Sequence, residues 1–292
     1  MKVLTYATDS RGAYPQFLSS YERFKSPSCT LYVEGMGEKW QGFGVRVQKI
    51  YERAVKIAEV DPYEVVLCVD AYDLLITGDL DGCEAQFEKM IPRDHPDALT
   101  KILISEEYHF PMDHLFTKYL TFGTMQGKHP SAGAYIAYSG AVVHLLGMVL
   151  ASPKASSLRF DDQVEFFRLG NLHPDLFLCD SEWKIFATLN DRRIHDPPFP
   201  LTYSKDGTLK KTQDNQPLYI LHLPGDVNMT ETIEKLGYDS STYNWRGVFH
   251  TMQGFFHFFY FERCQKLIGF VLLFILCIIL FIFKHIQYKR RK

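Results

Sequence analysis

The feature that most constrains this chain is an apolar run over residues 65–69 that ends in two carboxylates, Asp70 and Asp73. A continuous apolar run of this length predicts a strand covered on both faces, as in α/β sheets. Open α/β sheets bind ligands beyond the carboxyl ends of their strands. Carboxylate oxygens suit Mg²⁺ or Mn²⁺, so the pattern favours a divalent-cation site. On spacing alone, the alternative is that Asp70 caps the next element and Asp73 is solvated.

The bulk composition narrows the class of protein. The 292 residues suffice for one large domain or two small ones. With a net charge of −2, a nucleic-acid partner has no electrostatic support, and we expect none. The six cysteines show neither a C-x-x-C pair nor a metal-binding spacing. They fit core thiols in a reducing compartment.

The two ends of the chain differ in character. Residues 3–8, V-L-T-Y-A-T, are too short for a secretory signal and predict a first strand. Residues 267–283 form an unbroken apolar run that is flanked by lysines and followed by a basic tail, 284–292. As a helix, this run spans roughly 25 Å and predicts a single-pass membrane anchor. The aromatic residues before it resemble a membrane-surface belt. The alternative is a buried core helix.

These features predict one catalytic domain over residues 1–240 and a juxtamembrane linker over 241–266, followed by the transmembrane helix and the tail. A C-terminal anchor without an N-terminal signal places the domain in the cytosol. The basic cluster after the helix instead favours a cytosolic C-terminus and a lumenal domain. We favour the cytosolic orientation, with the lipid membrane as a partner through the C-terminal helix.

Hydrophobic periodicity predicts an α/β fold. The predicted strands are 3–7, 30–33, 65–69, 102–105, 134–138 and 218–221. The predicted helices are 14–24, 45–59, 83–90, 141–150 and 162–169. Residues 191–217 are rich in Pro, Asp and Lys and are predicted to form a surface loop.

Four polar clusters lie beside apolar stretches and supply the candidate site residues. They are Asp70 with Asp73, Glu106 with Glu107, Asp161 and Asp162 with Gln163, and His222. Two acids and a distant histidine suit a divalent metal, and a second carboxylate pair suits the orientation or deprotonation of a hydroxyl. Each cluster has a structural alternative: helix capping for the aspartates, ion pairing for the glutamates, and a hydrogen-bonded core position for the histidine.

Seven short motifs, in order over about residues 1–235, resemble the glycosyltransferase domain of the lysyl hydroxylase/procollagen glucosyltransferase family. They are V-L-T-Y-A-T at 3–8, G-E-K-W-Q-G at 37–42, V-V-L-C-V-D-A-Y-D at 65–73, S-E-E at 105–107, D-D-Q at 161–163, I-F-A-T-L-N at 185–190 and L-H-L-P-G at 221–225. The resemblance implies a Rossmann-like nucleotide-sugar domain of the GT-A type.

The resemblance also implies an activity: transfer of a hexose from a UDP-sugar, dependent on Mn²⁺ or Mg²⁺, to a hydroxyl of a protein hydroxylysine or a glycan, with retention. The residues that would hold the metal are Asp70, Asp73 and His222. Those that would contact the donor are Thr8, Tyr72, Gly133 and Gly225. Those that would face the donor sugar and the acceptor are Asp161, Asp162 and Glu107.

Three departures from the family pattern bear on activity. The family's L-N-S-G-G segment is P-S-A-G-A at 130–134, a tryptophan of the second helix is Val47, and a lysine that contacts phosphate is Asn228. They motivate the alternative of a catalytically weak or inactive, membrane-anchored UDP-binding scaffold. A phosphatase with Asp70 as nucleophile is a third hypothesis, disfavoured because the D-x-D pattern of that class is absent.

Overall fold

The computed structural model describes residues 1–107, 125–156, 160–189, 197–224 and 227–244, together with residues 271, 274, 275 and 278. The chain divides into two compact units, Met1–Gly247 and Val248–Lys292. Every strand and helix discussed below belongs to the first unit. In the second unit, the four described residues are helical and their side chains are exposed.

Strands and helices alternate through the first half of the larger unit, as the periodicity predicts. These elements are β1 (Lys2–Tyr6), α1 (Tyr14–Phe24), β2 (Thr30–Glu34), α2 (Phe43–Ala58), β3 (Val65–Asp70), β4 (Leu74–Ile76), α3 (Leu80–Met90) and β5 (Ile102–Glu106). The second half continues with β6 (Pro130–Tyr138), α4 (Ser139–Leu150), α5 (Asp162–Leu172), a short 3₁₀ turn (Pro174–Leu176), β7 (Phe177–Cys179), β8 (Phe186–Thr188), β9 (Leu201–Tyr203), β10 (Leu209–Lys211), β11 (Pro217–Leu218), β12 (Ile220–His222) and α6 (Thr230–Lys235).

The central sheet has the strand order β2-β1-β3-β6-β5-β7 among the described residues. Strand β1 is parallel to β2 and β3, whereas β6 is antiparallel to both β3 and β5. The start of β6 therefore lies at the same edge as the carboxyl ends of β1, β3 and β5. The register places Val69 opposite Ala134 and Glu106 opposite Pro130. The candidate functional site lies at this edge of the sheet, which we call the site edge.

Helices cover both faces of the sheet. Buried side chains of α2, α4 and α5, such as Ile50 and Phe166, pack with Leu4 of β1 on one face. On the other face, Phe17 of α1 packs with Val3 of β1. Neighbouring strand residues point to opposite faces, which is why Val3 and Leu4 enter different cores. Each fully buried side chain of this size stabilises the fold by about 1.5–3 kcal/mol, so the site edge is firmly supported.

A second, small sheet brings the far end of the sequence to the site. Its strand order is β4-β12-β8, and His222 of β12 lies opposite Leu74 of β4. The backbone N–H of Leu223 donates to the carbonyl oxygen of Asp73 at 2.8 Å. This pairing places His222 beside Asp73, across 149 positions of sequence, through backbone hydrogen bonds alone.

The loop predicted over 191–217 is partly wrong. Strands β9, β10 and β11 lie within or at the end of that range and form an antiparallel sheet. The strands are only two or three residues long, too short for an alternating pattern to outweigh the surrounding polar residues. Lys211 is buried, and its Nζ donates to Gln216 Oε1 at 3.1 Å and to the carbonyl oxygen of Glu182. Residues 191–196 lie outside the described residues.

The predicted single-pass membrane location is wrong, and the described residues give no support to the predicted anchor helix at 267–283 or to the lipid partner. Within the part of the chain that the structure describes, no helix combines the length and the apolarity that a bilayer crossing requires. Most residues of the run from 267 to 283, most of the predicted linker and the whole basic tail lie outside the described residues.

Candidate active site

Three side chains predicted to bind metal meet at the site edge. One ligand atom from each of Asp70, Asp73 and His222 lies within 4.8 Å of the others. Asp70 ends β3, Asp73 ends the turn that follows it, and His222 ends β12. Hydrogen bonds between strands thus assemble a cluster of two carboxylates and one imidazole, a donor set that suits a divalent cation.

Two atoms of this cluster are buried without a hydrogen-bond partner among the described residues. They are Asp73 Oδ1 and His222 Nε2, which lie 3.5 Å apart. On the other side of the ring, Ser131 Oγ lies 3.5 Å from His222 Nδ1. A buried polar atom without a hydrogen bond costs about 1–3 kcal/mol, so these two atoms are suited to bind a cation. Two metal–ligand bonds of about 2.1 Å readily span 3.5 Å.

Gly133 forms the wall of this cluster. A Cβ atom at position 133 would lie 2.6 Å from His222 Cε1, 2.8 Å from His222 Nε2 and 2.8 Å from Asp70 Oδ2. Gly133 lies near the start of β6, which the antiparallel course of that strand brings to this edge. The glycine leaves open the space that a side chain would fill, and its predicted contact with the donor stays a prediction.

Arg46 is a site residue that the sequence analysis missed. Its Nη1 donates to Asp70 Oδ1 at 2.6 Å, and its Nη2 donates to Asp162 Oδ2. A signal was present in the sequence, because Arg46 lies one helical turn before Ile50, on the buried face of α2. An arginine at such a position needs an anionic partner.

The three residues of the D-D-Q motif have different structural roles. Asp161 is the N-cap of α5 and accepts from the backbone N–H groups of Gln163 and Val164 at 2.9 and 3.3 Å. Asp162 is buried against Arg46. The amide of Gln163 accepts from the N–H of Ala132 at 2.7 Å and donates to the carbonyl oxygen of Pro130 at 2.6 Å. The motif therefore fastens α5 to the start of β6.

Thr8 and Tyr72, two of the residues predicted to contact the donor, lie together just after β1 and β3. The Tyr72 hydroxyl accepts from the backbone N–H of Thr8 at 2.8 Å and from that of Asp9 at 3.4 Å. The Arg11 guanidinium lies 5.8 Å from the centre of the Tyr72 ring and pairs with Asp9. The ring is thereby fixed next to the loop after β1.

Two predicted site residues remain. Glu107 follows β5, and its backbone N–H donates to the carbonyl oxygen of His129 at 2.8 Å. The carboxyl end of β5 lies at the site edge, and the charge of Glu107 adds a minor contribution to the raised pKa of His222. Gly225 lies outside the described residues, so its predicted role stays a prediction.

The charges of the site are strongly coupled. Loss of hydration raises the pKa of Asp70 to about 6, although Arg46 opposes the rise. Burial lowers the pKa of His222, but the nearby carboxylates, Asp73 first, more than compensate and raise it. Burial also disfavours the charge of Arg46, yet Asp162 and Asp70 raise its pKa above that of free arginine. The cluster thus carries excess negative charge for a cation to neutralise.

A helix-covered mixed sheet with an acidic cluster at the strand ends is consistent with a glycosyltransferase domain of the GT-A type. Residues 1–237 match the family model of the PLOD GT domain, and the chain belongs to that family. The resemblance drawn from the seven motifs is therefore confirmed.

Two known proteins show how far the similarity extends. A procollagen-lysine,2-oxoglutarate 5-dioxygenase of Drosophila melanogaster is 27% identical over 153 residues, which cover 50% of this chain and 20% of that protein. The match thus spans about a fifth of the relative's length. A crystal structure of a glycosyltransferase involved in the glycosylation of the major capsid of PBCV-1 covers 80% of this chain and 97% of its own, with 10% identity and a TM-score of 0.45.

Proposed function

We propose that this protein transfers a hexose from a UDP-sugar to a hydroxyl acceptor in a reaction that depends on Mn²⁺, or on Mg²⁺ in its place. The observation that carries the proposal is the convergence of Asp70, Asp73 and His222, with two of their atoms buried and without a hydrogen-bond partner among the described residues. Membership of a glycosyltransferase family supplies the reaction class.

The proposed cation would be held by these three side chains, with Asp70 presenting Oδ2. Bound there, it would neutralise the diphosphate and stabilise the negative charge that develops on the leaving UDP. Carboxylates favour Mn²⁺ and Mg²⁺, and the single imidazole makes Mn²⁺ the better match. Gly133 keeps the adjacent space free of side-chain atoms.

The remaining residues would orient the two substrates. Tyr72, whose hydroxyl is fixed by the backbone of Thr8, offers a ring on which uracil can stack. Asp162, fixed by Arg46, and Glu107 would accept hydrogen bonds from sugar or acceptor hydroxyls. We propose a protein hydroxylysine or a glycan as the acceptor, following the resemblance of the motifs.

Thermal unfolding with Mn²⁺ and UDP tests the binding step. Ligands that bind only the folded state stabilise it, by about 2.7 kcal/mol at a hundred times their dissociation constant. We expect the melting temperature to rise with both ligands present. Folded protein that shows no shift at millimolar concentrations of both would refute the proposal.

Donor hydrolysis across UDP-glucose, UDP-galactose, UDP-xylose and the N-acetyl sugars tests the chemistry. We expect Asp70→Ala and Asp73→Ala to abolish metal-dependent hydrolysis while the protein stays folded. The matched control is Asp214→Ala, which removes an exposed turn aspartate whose partner in the described part of the chain is the backbone N–H of Gln216. Turnover that is equal in all three variants and the wild type would exclude the metal assignment.

A binding protein without turnover is the second candidate. One observation favours it: both aspartates of the D-D-Q motif are already engaged, Asp161 by the N-terminus of α5 and Asp162 by Arg46. This candidate predicts that Mn²⁺ and UDP raise the melting temperature while no donor of the panel is hydrolysed. Hydrolysis of any donor eliminates it.

A further inference from the structure

The two oxygens of the Asp70 carboxylate face different partners. Oδ1 accepts from Arg46 Nη1 at 2.6 Å. Oδ2 lies 2.8 Å from the point where a Cβ of residue 133 would be, and His222 Nε2 lies 2.8 Å from the same point. The oxygen that Arg46 holds is therefore not the one that faces the histidine of the cation cluster.

The guanidinium of Arg46 has three neighbours that fix it: Asp70, Asp162 and the ring of Phe43. Its Nη2 donates to Asp162 Oδ2, its central carbon lies 5.0 Å from the ring centre of Phe43, and its side chain is only 16% exposed. A planar guanidinium with several N–H groups in a rigid fork holds two carboxylates in a defined relative orientation. Lysine, with one ammonium, cannot reproduce this geometry.

We propose that Arg46 is a positioning residue that orients Asp70 for the cation and couples the cation site to Asp162. The proposal rests on the proposed function, since it concerns the same cation site. Partners of this kind, one bond removed from the metal, fix the orientation of a ligand and raise metal affinity. Arg46 thereby links two motifs that lie 92 residues apart, at Asp70 and Asp162.

A competing role follows from charge alone. Arg46 is a cation beside Asp70, so it could occupy the carboxylate in place of a metal ion and weaken metal binding. The division of the two oxygens argues against competition, because the oxygen that faces His222 stays available while Arg46 is bound to the other. The two roles predict opposite effects when the arginine is removed.

The test is a titration of the full chain with Mn²⁺ alone, with free Mn²⁺ measured by electron paramagnetic resonance. We expect Arg46→Met to weaken Mn²⁺ binding by about 10- to 100-fold, the usual effect of removing such a partner. Asp162→Asn, which leaves the Arg46–Asp70 bond in place, should weaken it less. The melting temperature of each variant without metal checks the fold.

Arg53→Met is the matched control. Arg53 lies on the same helix, pairs with Glu34 at 2.7 Å and stacks 4.5 Å from the ring centre of Tyr32; neither partner is among the described residues of the site. A purely structural arginine would lower the melting temperature in either variant without changing Mn²⁺ affinity. We expect only the Arg46 variant to lose affinity.

Each result decides the matter. Arg46→Met with wild-type affinity, or with tighter binding as competition predicts, overturns the proposal. If Arg46→Met does not fold, Arg46→Lys replaces it: weaker Mn²⁺ binding supports the proposal and wild-type affinity overturns it. If the wild type binds no Mn²⁺, the proposed metal dependence is refuted, and the inference about Arg46 with it. If the wild type binds Mn²⁺ and the variants bind it equally well, only the inference about Arg46 is refuted.

Discussion

Single residues at the site edge show how closely the cluster is packed. Gly133 has no side chain, and a methyl group there would fall within 3 Å of both His222 and Asp70. Real Cβ atoms do not approach other atoms so closely, so a larger residue must displace two of the three proposed ligands. A substitution at position 133 therefore tests whether these side chains bind a cation.

Gly133→Ala should abolish Mn²⁺ binding at concentrations that saturate the wild type. The added methyl group pushes His222 and Asp70 apart, while the buried sheet beneath them keeps the domain folded. Mn²⁺ titration followed by thermal unfolding without metal measures the two effects separately.

The matched control is Gly147→Ala in α4, where a Cβ meets only Tyr51, at 3.8 Å. That change should raise stability by about 0.5–1 kcal/mol and leave Mn²⁺ binding intact. Full Mn²⁺ affinity in Gly133→Ala would contradict the site geometry.

Asp161→Asn should stabilise the protein at pH 7 by up to about 3 kcal/mol. Burial and the charge of Asp162 raise the pKa of Asp161 from 3.8 to about 6, despite the backbone N–H groups that it accepts from. A pKa raised by folding contributes stability below pH 4 that is lost as the pH rises through 6. Asparagine caps equally well and does not titrate.

Urea unfolding between pH 4 and pH 7 measures this effect. The advantage of the asparagine variant should be small near pH 4, grow up to about pH 6 and then stay constant. An advantage that is independent of pH would show that the carboxylate of Asp161 ionises in the fold as it does in the unfolded chain.

At the scale of elements, β6 is held at its start by a side chain from α5. The Gln163 amide bonds the N–H of Ala132 and the carbonyl oxygen of Pro130, which flank Ser131 just before Gly133. The position of the site glycine thus depends on the docking of α5.

Gln163→Ala should lower the free energy of unfolding by about 2–3 kcal/mol, because it leaves two largely buried backbone groups unpaired. Gln48→Ala is the control: Gln48 lies on the exposed side of α2 and bonds Glu52 one turn on. That change should stay within about 0.5 kcal/mol of the wild type. Equal losses in the two variants, measured by urea unfolding, would contradict the docking role of Gln163.

The sequence predicts those elements best whose pattern is local. Helix α1 has the predicted bounds, and β3 differs from the prediction by one residue, because apolar spacing alone specifies both. The sheet β9-β10-β11 was not predicted, because its strands are too short to show an alternation of apolar and polar residues. Arg46 escaped because its partners, Asp70 and Asp162, are distant in sequence and are brought to it only by the sheet edge.

At the scale of the whole molecule, the chain forms two compact units, and every described residue of the proposed site lies in the first. That unit contains both faces of the central sheet and the small sheet that carries His222. Its cores are built from its own elements.

A chain ending at residue 247 should therefore fold alone and respond to Mn²⁺ and UDP with the same rise in melting temperature as the full chain. Calorimetry of the two chains side by side measures both quantities. A truncated chain that unfolds at markedly lower temperature, or that no longer responds to the ligands, would show that the second unit supports the first.

The pairing of β12 with β4 has a consequence for biosynthesis. Asp70 and Asp73 leave the ribosome long before His222, and the imidazole reaches them only when β12 adds to β4. A nascent polypeptide shorter than about 222 residues therefore lacks one of the three proposed cation ligands, whatever else has folded. The proposed cation would then bind with all three ligands only after β12 has paired with β4, late in translation or after release of the chain.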